Sequence, residues 1–147
     1  MTPRSILVVT DFSELGGHAL ARAALLGAEH RAALQLVYLS APGEVPPPDV
    51  AVRLSHHALQ LRQRHQIAVQ AVSRVDCTVA DIARAAATHD LVVWGTAPQR
   101  GLRAWWGTHP ALQLLRACQR PVVVVRTAAD QNYQSLLVAV DFSEASH

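Results

Sequence analysis

Three short runs along this chain are apolar at nearly every position: Ser5 to Thr10 (SILVVT), Leu91 to Trp94 (LVVW) and Pro121 to Val125 (PVVVV). A strand with one face in water alternates apolar and polar residues, whereas a continuous β-branched run needs cover on both faces. Two further strands are expected at Leu34 to Leu39 and Ile67 to Val72. Helical patterns separate them. Leu15 to Arg31 follows Asp11 and Ser13, either of which is placed to cap it. Val50 to His65 carries Val52, Leu54, Ala58, Leu59 and Leu61 at helical spacing. Thr78 with Asp81 fits a capping box ahead of Val79, Ile82, Ala83 and Ala86. Ala111 to Ala117 continues as a helix, and Pro121 opens its strand where a missing N–H is tolerated. Strands alternating with helices at these lengths imply a parallel α/β sheet with helices on both faces.

With 147 residues, 50% of them hydrophobic and 16% charged, the chain has enough material for one well-buried domain. The formal net charge is +2, and its 13 basic residues are scattered, which argues against nucleic acid as a partner. All 13 are arginine, so any chemistry that requires a lysine amine is excluded. Cys77 and Cys118 lie far apart and form neither a disulfide framework nor a zinc motif. No apolar run reaches the roughly 18 to 20 residues that span a bilayer, and no cleavable signal opens the sequence. A cytoplasmic location without membrane association is the default expectation.

Ser135 to Glu144 (SLLVAVDFSE) repeats Ser5 to Glu14 (SILVVTDFSE), matching seven of ten positions. Two apolar strands share valines and leucines readily, but the common Asp-Phe-Ser-Glu points to a tandem protein. The expected organisation is a domain over 1–127, a linker over 128–133, and the first strand and turn of a second repeat over 134–147. That sixth apolar strand lacks the helix that would cover it, so it must pair with a sheet edge.

Taken together, "VVTDFSE", "HALARAALLGAEHRAALQLVYLS", "DIARAAATHDLVVWG" and "GT" leading into "RPVVVV" resemble the universal stress protein family across residues 4 to 127. The resemblance implies a Rossmann-like fold of five parallel strands in the order 3-2-1-4-5, frequent dimerisation, and frequent occurrence as tandem pairs. It also implies an adenine-nucleotide site, with ATP and magnesium as the expected ligand. Family members that bind ATP carry glycine, two residues, glycine, nine residues, glycine, then serine or threonine. Such a loop lets backbone N–H groups approach phosphates and ends at a helix N-terminus, which favours negative charge.

Here Gly95 matches the first glycine and Gly107-Thr108 the last glycine and hydroxyl, with His109 next to them. Pro98 replaces the middle glycine, and the loop after it is one residue shorter. Proline removes a donor and fixes φ near −65°. Each lost bond to a charged oxygen costs roughly 1.5 to 3 kcal/mol, about ten- to a hundredfold in affinity.

Asp11 matches the family's adenine-contacting aspartate and equally suits a helix cap. Thr10 and Leu39 match positions lining the base pocket, and Trp94 either stacks on a base or fills its space. Trp105 and Trp106 match packing positions, while His56, His57 and His65 read as solvated rather than metal-ligating. No general base, metal cluster or nucleophile motif is recognised, so enzymatic activity is not expected.

The function implied is a regulatory stress-response module acting through homodimerisation, pairing with the second repeat, or other protein partners. Its nucleotide site is degenerate; the alternative is an ATP-binding switch using the retained residues. Light scattering on the purified chain is expected to report a dimer or strand-exchanged species. A monomer at high concentration would overturn the edge-pairing expectation for residues 134–147.

Overall fold

Ser5–Thr10 forms β1, in which Ile6, Leu7, Val8, Val9 and Thr10 are completely buried. A computed structural model describes residues 2–40, 43–73, 78–95 and 110–135. On one side β1 pairs with β2 (Ala33–Tyr38), which pairs with β3 (Val69–Val72). On the other it pairs with β4 (Leu91–Gly95), which pairs with β5 (Val122–Val125). All pairings are parallel, and the order is β3-β2-β1-β4-β5, as the sequence resemblance implied.

Alternate residues of each strand feed two cores. Ile6, Val8, Leu34, Leu36 and Val93 pack beneath α1 (Glu14–His30) and α2 (Val50–His65). Leu7, Val9, Val37, Val92 and Trp94 pack beneath α3 (Val79–Ala86) and α4 (Pro110–Ala117). Full burial of each such side chain is worth roughly 1.5 to 3 kcal/mol. The chain moves from β1 toward β3, then jumps back across β1 to β4. The β1/β4 junction is therefore the topological switch point, where parallel sheets present a crevice at their C-terminal edge.

The helix ends follow local chemistry. Ser13 caps α1 by accepting from the Gly16 N–H, and Thr78 with Asp81 forms the expected reciprocal capping box on α3. At α2 the structure differs from the sequence reading. Val50, Leu54 and Ala58 form the buried stripe, while Val52 and Leu59 are 71% and 50% exposed. At about 100° per residue, positions 52 and 59 turn away from the stripe through 54, so apolar character alone overstated the buried face. The third strand is also shorter than expected: Gln66 turns left-handed at φ 54°, and Ile67 packs against the core before β3 begins.

Beyond β5, Arg22 on α1 holds the chain. Its Nη1 donates to the Gln131 carbonyl at 2.9 Å, and its guanidinium lies 3.9 Å from the centre of the Tyr133 ring. The expected linker over 128–133 thus touches α1, while the expected sixth strand beyond Ser135 lies outside the described residues.

Two contacts lock the ends of the central strands. At the N-terminal end, the Asp90 Oδ2 accepts from the Arg4 N–H (2.8 Å), the Ser5 N–H (3.0 Å) and the Ser5 hydroxyl (3.1 Å), tying the start of β1 to β4. These bonds hold the Asp90 carboxyl below its usual range. At the C-terminal end, the first turn of α1 lies directly on the chain. A Cβ on Gly95 would fall 1.8 Å from the Leu15 carbonyl oxygen, and one on Gly16 would fall 2.6 Å from the Thr10 Oγ1.

Because Asp90 is depressed in the folded state, its stabilisation is present above about pH 4 and is lost as pH falls through the folded value. Urea unfolding between pH 5 and pH 2 (roughly the range over which carboxylates protonate) should show Asp90→Asn with a flatter acid limb than the parent. Identical limbs would show that the latch carries no folding energy. Gly95→Ala is expected to destabilise by about 1 to 3 kcal/mol or more, because a backbone must move. Gly17→Ala, whose added Cβ would meet nothing within 4 Å, should be neutral or stabilising by up to about 1 kcal/mol in the same measurement.

Candidate functional site

Five of the sequence-selected residues converge at the C-terminal edge of the sheet. Thr10 ends β1, Asp11 follows it, Leu39 follows β2, and Trp94 and Gly95 end β4. The register places Thr10 beside Tyr38 and Val9 beside Trp94, and the Leu39 N–H donates to the Thr10 carbonyl at 3.0 Å. Gly107, Thr108 and His109 lie outside the described residues, as do Pro98, Trp105 and Trp106.

The β1–α1 turn is a compact polar relay. Thr10 Oγ1 accepts from the Phe12 N–H at 3.1 Å, and Asp11 Oδ1 accepts from the Ser13 N–H at 2.9 Å and from the Ser13 hydroxyl. Ser13 Oγ in turn accepts from the Gly16 N–H at 3.1 Å. The cap is therefore Ser13, and Asp11 orients it from one carboxylate oxygen. The Asp11 side chain stays exposed at the C-terminal edge of the sheet. A carboxylate so placed accepts hydrogen bonds from an exocyclic amine or a ribose hydroxyl.

The other members divide between the two faces. Thr10 is fully buried, and its hydroxyl lies against Gly16 of α1. Leu39 and Trp94, 7% and 6% exposed, pack in the core beneath α3 and α4. Trp94 is thus a filling residue in this structure. Gly95 is needed for the approach of α1 whether or not a ligand binds.

An aromatic and cationic cluster beside this turn was not recognised in the sequence. Phe12 adopts φ 61°, a left-handed conformation that costs a bulky residue roughly 1 to 2 kcal/mol. Its ring stacks on Tyr38 at 4.9 Å and on His57 at 5.9 Å, with the Arg53 guanidinium 4.1 Å from its centre. His57 is therefore partly covered by Phe12, not solvated as its place in a polar helix suggested. Burial first, then His56 and Arg53, hold its pKa below the usual range, favouring the neutral ring. Burial, Glu44 and Asp11 raise the Tyr38 hydroxyl, and Arg53 opposes them. The sequence signal for this cluster was the phenylalanine shared by both Asp-Phe-Ser-Glu copies.

Three cavities lie away from this edge. One of about 330 Å³ opens at the N-terminal ends of β1 to β3, beside Gln35, Arg62 and His89. Another of about 280 Å³ lies between β2, β3 and α3, and one of about 550 Å³ between α3 and α4. The C-terminal edge differs from these in bringing the ends of β1, β2 and β4 together with the exposed Asp11 carboxylate at the switch point. Among the described residues no group of three His, Cys, Asp or Glu is arranged to hold a metal ion, and no helix is long and apolar enough to cross a membrane.

The chain matches the universal stress protein family over residues 2–126. A structure from that family in Burkholderia pseudomallei is 26% identical, with 84% of this chain and 96% of that chain covered and a TM-score of 0.60. A protein of Pseudomonas aeruginosa UCBPP-PA14 assigned to the universal stress proteins is 28% identical with a TM-score of 0.63; 86% of this chain covers 45% of that one. A universal stress protein in complex with cAMP is 19% identical and alike in fold, with a TM-score of 0.70 over 87% of this chain and 100% of that one. No curated protein matches the sequence. With the family match spanning most of the chain and the five strands in the order 3-2-1-4-5, this chain belongs to the universal stress protein family.

Proposed function

We propose that this chain is a non-catalytic regulatory module that signals through assembly and carries a weakened adenine-nucleotide site at the β1/β4 switch point. The observation that carries the nucleotide part is Asp11, an exposed carboxylate held by Ser13 at the C-terminal edge of the sheet, with Thr10, Leu39 and Gly95 around it. The cAMP complex of a protein with the same fold supports adenine as the base. Pro98 and the shortened loop account for the weakening, since both remove or displace backbone donors to phosphate.

Assembly is supported by β5. In the described sheet it has β4 as its neighbour on one side; its Val124 is 37% exposed, and Leu112 and Leu115 on α4 are 38% and 44% exposed. An all-valine edge strand fits a second copy of this domain or a second repeat. The half-length coverage of the Pseudomonas aeruginosa protein supports the tandem organisation. The second reading, a nucleotide switch with ATP and magnesium, draws on the same Asp11 and differs in affinity.

Isothermal titration separates the two. Weak binding of ATP, reduced about tenfold or more by Asp11→Ala, is the expected result. A tight, magnesium-dependent complex would overturn the weakened site in favour of the switch, and no binding would remove the nucleotide from the reading. Phosphate release above the Asp11→Ala background would overturn the non-catalytic assignment.

A further inference from the structure

A ligand bearing phosphate needs backbone donors or a cation, and in a chain without lysine that cation must be arginine. Several arginines are engaged elsewhere: Arg22 with Gln131 and Tyr133, Arg62 with the Val69 carbonyl, Arg84 with Asp81, and Arg120 with the Ala87 carbonyl. Arg53 differs from these. It stands in the first turn of α2, half-buried, with its guanidinium against Phe12, the residue directly after Asp11. Its backbone N–H donates to the Asp49 carbonyl within the helix, but among the described residues its guanidinium makes no ion pair and no hydrogen bond.

Phe12 accounts for that position. Its left-handed backbone directs the ring toward α2, where Tyr38 stacks on it and Arg53 lies over it. A guanidinium resting on a ring keeps its in-plane N–H fork free for a planar or tetrahedral anion. The local charges add a reason for it to be there. Asp11 and Glu44 both act on Tyr38 with the sign of negative neighbours, and Arg53 acts against them. Without Arg53, an incoming anion would meet two carboxylates at this edge of the sheet.

We infer that Arg53 is an anion-contacting residue of the nucleotide site, held on the Phe12 ring so that its N–H fork meets a phosphate of the bound adenine nucleotide. The inference rests on the nucleotide reading above and adds a contact outside the glycine loop. It assigns the phosphate a partner from α2, which would offset part of what Pro98 removes.

The test compares adenosine with AMP, titrated calorimetrically into the full chain and into Arg53→Gln and Arg53→Lys. The expected result is that Arg53→Gln binds adenosine as the parent does but loses roughly tenfold or more in AMP affinity, the worth of one charge-assisted contact. Arg53→Lys should recover part of that loss, and the salt dependence of AMP binding should fall in Arg53→Gln. An unchanged thermal unfolding midpoint shows that the variants are folded. Equal losses for adenosine and AMP, or no loss for either, would overturn the role of Arg53 and leave the nucleotide reading standing. A parent chain that binds neither compound would overturn both.

Discussion

Everything in this domain depends on β1 being buried on both faces and paired along both edges. A strand in that position cannot tolerate a polar side chain without a partner: the Thr10 hydroxyl accepts from the Phe12 N–H in the turn that follows, and the Ser5 hydroxyl donates to Asp90 at the other end. Two layers of helices become obligatory, because Ile6 and Val8 need cover on one face and Leu7 and Val9 on the other. The jump of the chain back across β1 then falls between β1 and β4, whose C-terminal ends lie against the first turn of α1. Fold stability and the location of the candidate site thus come from a single requirement.

At that end, one short turn performs two tasks. The Asp11 to Ser13 to Gly16 relay starts α1 and also leaves a carboxylate exposed at the C-terminal edge of the sheet. A cap is worth typically about 1 kcal/mol, so the turn has reason to persist on structural grounds alone. One carboxylate oxygen serves the helix, leaving the other side of Asp11 toward solvent. Phe12 pays a backbone penalty in the middle of this turn, and the stack with Tyr38 and Arg53 offsets it.

Much of the framework was legible in the sequence because it follows periodicity. Continuous apolar runs located β1, β4 and β5; the Thr78 and Asp81 pair located the start of α3; and the register of the family motifs implied the strand order. What was not legible depends on geometry that one-dimensional patterns do not carry. Val52 and Leu59 are apolar yet turn outward, because a helix buries a stripe and not a composition. The left-handed Phe12 and the position of Arg53 on its ring are tertiary facts, since residues 12 and 53 meet only after two strands have paired. Asp90 gave no motif either: its value lies in reaching the Arg4 and Ser5 amides across the sheet.

Gly95 has a consequence for how such domains are compared. It is required by the Leu15 carbonyl of α1, so it would persist in a domain of this fold whether or not a nucleotide binds. Erosion of a phosphate loop in this architecture would therefore begin at residues answering only to the ligand, and the glycine bounding the strand would outlast them. A surviving strand-end glycine is in that sense a fossil of the scaffold, and the interior of the loop is where disuse leaves its mark.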